Sequence, residues 1–141
     1  MKKNGFTWID VLIALMIVAI MAAVAIPNLI RTRMNSNELT VPGNLRAVVA
    51  AEVAFQAAHG WYTSSFDELT QAKPAFLEGD WFNPRKGYKF SLSGTGDSFK
   101  VTAEPANLVR SGQRYFFVDE SGVVRFSVSG PADNQSPVVD R

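Results

Sequence analysis

Asp10 is the one charged residue between Lys3 and Arg31, and it stands directly before residues 11–30, of which 18 in 20 are apolar. A carboxylate in such a run costs up to about 2.5–3.5 kcal/mol at the centre of a bilayer and less toward its surface. Two offsets are open to it. It can cap or face the positive end of its own helix, worth about 0.3–1 kcal/mol, or it can meet a cation from a neighbouring chain. Helix electrostatics alone do not choose between them. Arg85, Lys86 and Lys89 form a small basic cluster near Trp81, Phe82 and Tyr88, a mixture that could bind DNA if exposed together. Three charges neutralise only about three phosphates, so the plainer reading is a solvated loop leading into a strand, and nucleic acid is not the expected partner.

The other reactive residues are few. His59 is the single histidine and falls beside a helix end, where a hydrogen-bonded or cationic structural role is the ordinary one. The adjacent carboxylates Asp67-Glu68 and Asp119-Glu120 lack the alternating oxygen pattern of a calcium loop and read as solvated turns. No G-x-S-x-G elbow, H-E-x-x-H helix or P-loop occurs in the sequence, and Gly94-Thr95-Gly96 reads as a turn rather than a phosphate cradle. With no cysteine, disulfides, thiolate nucleophiles and zinc–cysteine sites are excluded together. No enzyme, metal or cofactor is implied. Lys+Arg at 14 against Asp+Glu at 13 gives no overall field for a polyanion.

These residues are carried by two unlike stretches of a 141-residue chain, one domain's length. Residues 11–30 would make a helix about 30 Å long, enough to cross a hydrocarbon core. The rest has the composition of a soluble protein. One reading of the start is a secretory signal peptide, with Lys2 and Lys3 as the positive region and Ala23-Val24-Ala25 as the cleavage site. Against it stand Asp10 at the head of the run and the apolar residues Ile26, Leu29 and Ile30 beyond its expected end.

The order of residues 2–27, KKNGFTWIDVLIALMIVAIMAAVAIP, closely resembles the leader and first helix of type IV pilins and type II secretion pseudopilins. The resemblance is specific over roughly the first 30 residues and loose thereafter. It implies a basic leader ending at Gly5, cut by a prepilin peptidase on the cytoplasmic side, and N-methylation of the new terminus, Phe6. Thr7, Ile9 and Pro27 also match family positions. The chain departs from the usual pattern with Asp10 for Glu, Trp8 for Leu and Ala19 for a helix-loosening Gly. An Ala is about 1 kcal/mol more favourable than Gly inside a helix, so local unwinding at residue 19 should be harder.

Cleavage would give Phe6 a free amine, mostly cationic at neutral pH with a pKa of about 7.7–8. It lies about 6 Å from Asp10 along one helix axis, too far for a direct bond in a straight segment, but a staggered neighbour could bring its amine to this carboxylate. The resemblance implies that intersubunit pairing. Pro27 removes a donor and crowds the carbonyl of Ala23, so it bends the helix or ends the span. Lys2 and Lys3 on one side are balanced by Arg31 and Arg33 on the other, so export of the C-terminal part is implied by the resemblance alone.

Beyond Arg31 a second helical stretch carries Leu45, Val48, Val49 and Val53 as an apolar stripe, with a kink or break expected at Pro42-Gly43 and an end at Gly60. Residues 61–80 read as a loop anchored by Phe66, Leu69, Phe76 and Leu77. Tyr88, Phe90 and Leu92 alternate, turn at residues 94–97, and return as Phe99, Val101 and Ala103. Residues 115–118 suit a buried strand, residues 120–122 a turn, and Val124, Phe126 and Val128 alternate out of it. Residues 129–141 read as a polar tail.

The expected fold is α+β: a type IV pilin-like roll in which a long N-terminal transmembrane helix packs on a four-stranded antiparallel sheet. The expected organisation is a leader at 1–5, an assembly helix at 6–30, an exported domain at 31–128 and the tail at 129–141. The function implied is a pilin that polymerises into a helical homo-oligomeric filament, working with the prepilin peptidase, an inner-membrane platform and a cytoplasmic ATPase. Its precursor would be a single-pass inner-membrane protein, and its product a cell-surface pilus. The alternatives are a pseudopilin in a periplasmic filament of a type II secretion system, and a membrane-tethered or secreted binding domain with an ordinary signal peptide.

Overall fold

A computed structural model describes residues 5–140, so Lys2 and Lys3 of the leader and Arg141 of the tail lie outside the described residues. In chain order the elements are α1 (Trp8–His59), α2 (Phe66–Gln71), β1 (Tyr88–Gly94), β2 (Phe99–Pro105), β3 (Tyr115–Asp119) and β4 (Arg125–Ser127). The chain divides into two compact units, Met1–Thr32 and Arg33–Arg141.

From Val11 to Ile26 α1 is made of Ala, Leu, Met, Ile and Val without a glycine. A helix satisfies its own backbone donors and acceptors, which is the requirement on any single segment immersed in lipid. Pro27 does not end it. The proline leaves the Ala23 carbonyl without its helical donor, yet the helix continues on both sides.

In the second unit α1 buries one stripe: Val41, Leu45, Val48, Ala51, Glu52 and Phe55. This corrects two expectations. Val49 is only partly buried and Val53 is 49% exposed, because the stripe follows Ala51 and Phe55 instead. The helix also runs unbroken through Pro42-Gly43. Val41 and Leu45, at 1% and 0% exposure on either side, anchor that turn in the core, and tertiary packing overrides the poor local propensity. Gly60 ends the helix as expected, at φ +90° with its N–H donating to the Gln56 carbonyl at 2.7 Å.

The sheet is a plain antiparallel meander, β1-β2-β3-β4. β1 and β2 pair along their full lengths from Tyr88↔Pro105 to Gly94↔Phe99. β3 pairs β2 from Lys100↔Asp119 to Ala103↔Phe116, and β4 pairs β3 through Phe116↔Phe126. Alternation puts Tyr88, Phe90, Phe99, Val101 and Ala103 on the inner face against the α1 stripe, with Phe116 and Val118 completing the core. Each layer covers the apolar face of the other.

Two segments carry more structure than their sequence suggested. Residues 61–80 contain α2, whose N-cap Ser65 accepts from the Asp67 N–H at 3.2 Å. Phe66, Leu69 and Leu77 are buried and Phe76 half-buried, so all four anchors pack. The stretch after β4 returns along that strand: Phe126 N–H donates to the Pro137 carbonyl and Val139 N–H to the Val124 carbonyl, both at 2.9 Å, while Arg125 Nη1 donates to the Ser136 carbonyl at 2.9 Å. Ala132 is buried beneath it. Backbone pairing thus fastens the C-terminal stretch in a chain without cysteine.

Candidate assembly site

The start of α1 is closed by its own residues. Thr7 precedes the helix, and Asp10 is its third helical position. The Asp10 carboxylate accepts from the Thr7 N–H at 2.8 Å and from Thr7 Oγ1 at 2.7 Å through the same oxygen, Oδ2. Thr7 Oγ1 in turn lies 3.4 Å from the Asp10 N–H, at the long end of a capping bond. This is a capping box, in which the Thr7 N–H finds a side-chain acceptor, while the Asp10 N–H also donates to the Thr7 carbonyl at 3.1 Å. The self-capping arrangement open to Asp10 is therefore present, with the second carboxylate oxygen left over for another partner.

Gly5 and Phe6 stand just ahead of this box and both are exposed. From Ile9 to Leu29, large apolar side chains point outward in every direction: Ile9, Leu12, Leu15, Met16, Ile20, Val24 and Ile26 are each at least 46% exposed. A helix apolar all round belongs in lipid or in the middle of a bundle. Within α1 a window long and apolar enough to cross a membrane has none of its residues buried. Pro27 is exposed on the same helix.

In the second unit the basic cluster is not presented as one patch. Arg85 lies over the Trp81 ring at 4.3 Å and is half-buried, with Nη1 buried and without a hydrogen-bond partner. Lys86 is exposed in a left-handed turn at φ 48°, and Lys89 is exposed between inward-facing Tyr88 and Phe90. Of the three neighbouring rings, Trp81 and Tyr88 are buried in the core, at 3% and 0% exposure, and Phe82 alone is open at 61%. His59 stacks on Phe55 with ring centroids 4.2 Å apart and its Nδ1 is 3.1 Å from the Phe55 carbonyl, a structural setting. Asp67 and Glu68 begin α2, where acidic side chains suit the positive helix end. Asp119 accepts from the Ser121 N–H at 3.0 Å, a turn role as expected.

Polar contacts fasten α1 to the β2–β3 connection. Asn37 Nδ2 donates to the Ser111 carbonyl at 3.0 Å, and Glu38 accepts from the Gln113 N–H at 2.7 Å while pairing with Arg114 at 3.4 Å. Sequence reasoning missed Glu52. It is fully buried on the α1 stripe, where burial pushes its carboxyl up to about 7, the nearby Glu68 charge adds to the rise, and the Thr63 N–H works against it. The available signal was its position four residues after Val48, on the same helix face.

No protein-family model matches the chain. Among curated proteins it is 28% identical over 140 residues to the type IV major pilin protein PilA of Myxococcus xanthus, covering 99% of this chain and 59% of that protein. It is 41% identical over 64 residues to the type IV wide pilus major component PilA4 of Thermus thermophilus, covering 45% of this chain and 49% of that protein. The chain thus spans between about half and three-fifths of the length of these relatives. Their names, together with a long apolar N-terminal helix and a helix-on-sheet α+β fold, support the type IV pilin family for this chain.

Proposed function

We propose that this chain is a structural subunit of a type IV pilus, held in the inner membrane as a precursor and polymerised into a helical filament of many copies. The observation that carries the reading is the first unit of α1: apolar on every side, uncovered by its own chain, and headed by one carboxylate. In lipid such a surface is at rest. In a filament, neighbouring copies of the same helix take the place of lipid through close packing. Asp10 sets the register, because a buried or half-buried carboxylate that meets a cation at one axial stagger is left unpaired at a slipped one.

On this reading the prepilin peptidase cuts after Gly5 and methylates Phe6, and the exposed, unencumbered surroundings of both residues suit access by an enzyme. Cleavage leaves Thr7 and Asp10 in place, so a neighbour's Phe6 amine must compete with, or add to, the Thr7 bonds on that carboxylate. Pro27 frees the Ala23 carbonyl from the helix ladder. The work of extraction from lipid falls to a cytoplasmic ATPase acting through an inner-membrane platform. The Arg85, Lys86 and Lys89 region would lie on the exported unit as a weak accessory surface.

Mass spectrometry of the mature protein is the direct test. A methylated Phe6 terminus, with surface fibres that vanish when the gene is deleted, is the expected result. An Ile26 terminus or an intact Met1 points instead to a secreted or tethered binding domain. An export defect without loss of fibres points to a pseudopilin.

A further inference from the structure

We infer that Glu52 and Thr63, both buried, together with the exposed Glu68 form a proton-binding clasp that fastens residues 60–71 to α1 and loosens when Glu52 gives up its proton. Glu52 is 0% exposed; its Oε2 accepts from the Thr63 N–H at 3.1 Å, while Oε1 is buried with no partner. Thr63, itself 1% exposed, donates from Oγ1 to the Glu68 carboxylate and accepts there from the Ser65 N–H at 3.0 Å. One threonine therefore ties two carboxylates from two helices.

The same short stretch is also pinned to the sheet. Tyr62 N–H donates to the Gly96 carbonyl at 2.8 Å in the β1–β2 turn. Gly94 lies so near that a Cβ there would collide with the Thr63 carbonyl oxygen. Loosening at Thr63 is therefore a movement of α2 and its lead-in relative to α1 and the β1–β2 turn.

A neutral carboxyl with one satisfied and one idle oxygen is tolerable in a core; a carboxylate there needs several donors or a cation. Neither is at hand among the described residues. The charged group facing Glu52 from α2 is Glu68, of like sign. From the sheet, Lys89, Lys100 and Glu104 are on the solvent face, and Arg125 is bonded to the Ser136 carbonyl at the far strand. The one ion pair among the described residues, Glu38–Arg114, is elsewhere on α1. Ionised Glu52 can be relieved only by admitting water, and the segment above it is what must move. With its carboxyl pushed up to about 7, the change falls within ordinary environmental pH.

Amide hydrogen exchange on the full-length protein in detergent micelles tests this. Between about pH 5.5 and about pH 8.5, after correction for intrinsic exchange chemistry, protection of residues 61–71 should fall about tenfold or more, while β2 and β3 hold. Glu52→Gln should remove the fall, and Glu68→Gln should shift its midpoint to lower pH. An equal fall in Glu52→Gln, or none in the wild type, overturns the inference. Should Glu52→Gln not fold, carbon NMR of the wild-type glutamate carboxyls decides: one must titrate near neutrality, and ordinary titration of all of them overturns it. Calcium ions that restore protection at the higher pH would make this a cation site and overturn the proton reading.

Discussion

The two stretches of α1 on either side of Thr32 use the same apolar residue types and meet opposite fates. Leu12, Leu15 and Ile17 are 46%, 60% and 54% exposed, whereas Leu45 and Val48 are at 0%. The difference is in what separates the apolar positions. After Arg33 they are interrupted by Asn37, Glu38, Asn44 and Arg46, which leaves one stripe that a single sheet can cover. Before it nothing polar intervenes between Asp10 and Asn28 except the backbone of Pro27. A stripe asks for one partner surface; an all-round apolar helix asks for a medium.

The strongest break in that comparison is at Asp10, where one charge acts on a stretch that has no core of its own. Asp10→Ala and Asp10→Lys should reduce sheared surface fibre to background while the precursor accumulates in the membrane, and Asp10→Glu should be tolerated. Immunoblots of sheared and membrane fractions measure both. Normal fibre from Asp10→Ala would leave the carboxylate with no role beyond its bonds to Thr7.

Leucine deletion in the two stretches comes next. Leu45→Ala should destabilise the second unit by about 2–5 kcal/mol, the range for emptying a well-packed core site. Leu15→Ala should leave the same unfolding transition within about 0.5 kcal/mol, because its side chain touches no core. Thermal melts of the full-length protein in detergent, followed by near-ultraviolet dichroism, compare them. Equal losses would mean that the exposed side chains of the first stretch are covered within one chain.

Where one face is buried by a regular neighbour, the sequence announces it. Tyr88-Phe90-Leu92 and Phe99-Val101-Ala103 alternate because the sheet has a covered and an open side, and the meander follows from them. The capping of α1 was equally open to reading, since Thr7 and Asp10 have the spacing of a capping box. What escaped depends on distant contacts. Pro42-Gly43 is a local breaker overruled by Val41 and Leu45 in the core. α2 is six residues long, too short for periodicity, although Ser65 and Glu68 carry a cap's spacing. Glu52 shows as one more polar residue on a helix until the fold brings Thr63 onto it. The return of residues 137–139 along β4 is backbone pairing, which side-chain pattern does not encode.

A pH series sharpens the contrast within the second stretch, since Glu52 is the polar member of an otherwise apolar stripe. Its folded pKa, about 7, is raised above the unfolded reference of 4.5, so the folded state holds the proton longer. Stability from this group is full below about 4.5, falls as pH rises toward 7 and is level above. The loss is bounded by about 3 kcal/mol. Glu52→Gln should melt higher than wild type at about pH 8, and the difference should close by about pH 5. A wild-type melting temperature that rises steadily across that window would contradict it.

The smallest effect belongs to the rim, where Glu38 joins α1 to the β2–β3 connection. Its ion pair with Arg114 at 3.4 Å is half in water, with the arginine side chain 48% exposed. Arg114→Gln should cost about 0.2–1 kcal/mol and lose most of that cost in high salt, the behaviour of an exposed pair. The contact of its guanidinium with the Phe126 ring, 5.0 Å to the centroid, adds a part that salt does not remove. Glu38→Gln gives up the charge but keeps an oxygen for the Gln113 N–H, so it should cost about as little. Glu38→Ala should cost somewhat more, about 0.5–1.5 kcal/mol, by also removing the side-chain acceptor of that exposed N–H. If Glu38→Gln and Glu38→Ala were equally harmful in chemical denaturation at matched salt, the charge rather than the hydrogen bond would be fastening the rim. The second stretch of α1 would then resemble the first, with one carboxylate setting its position.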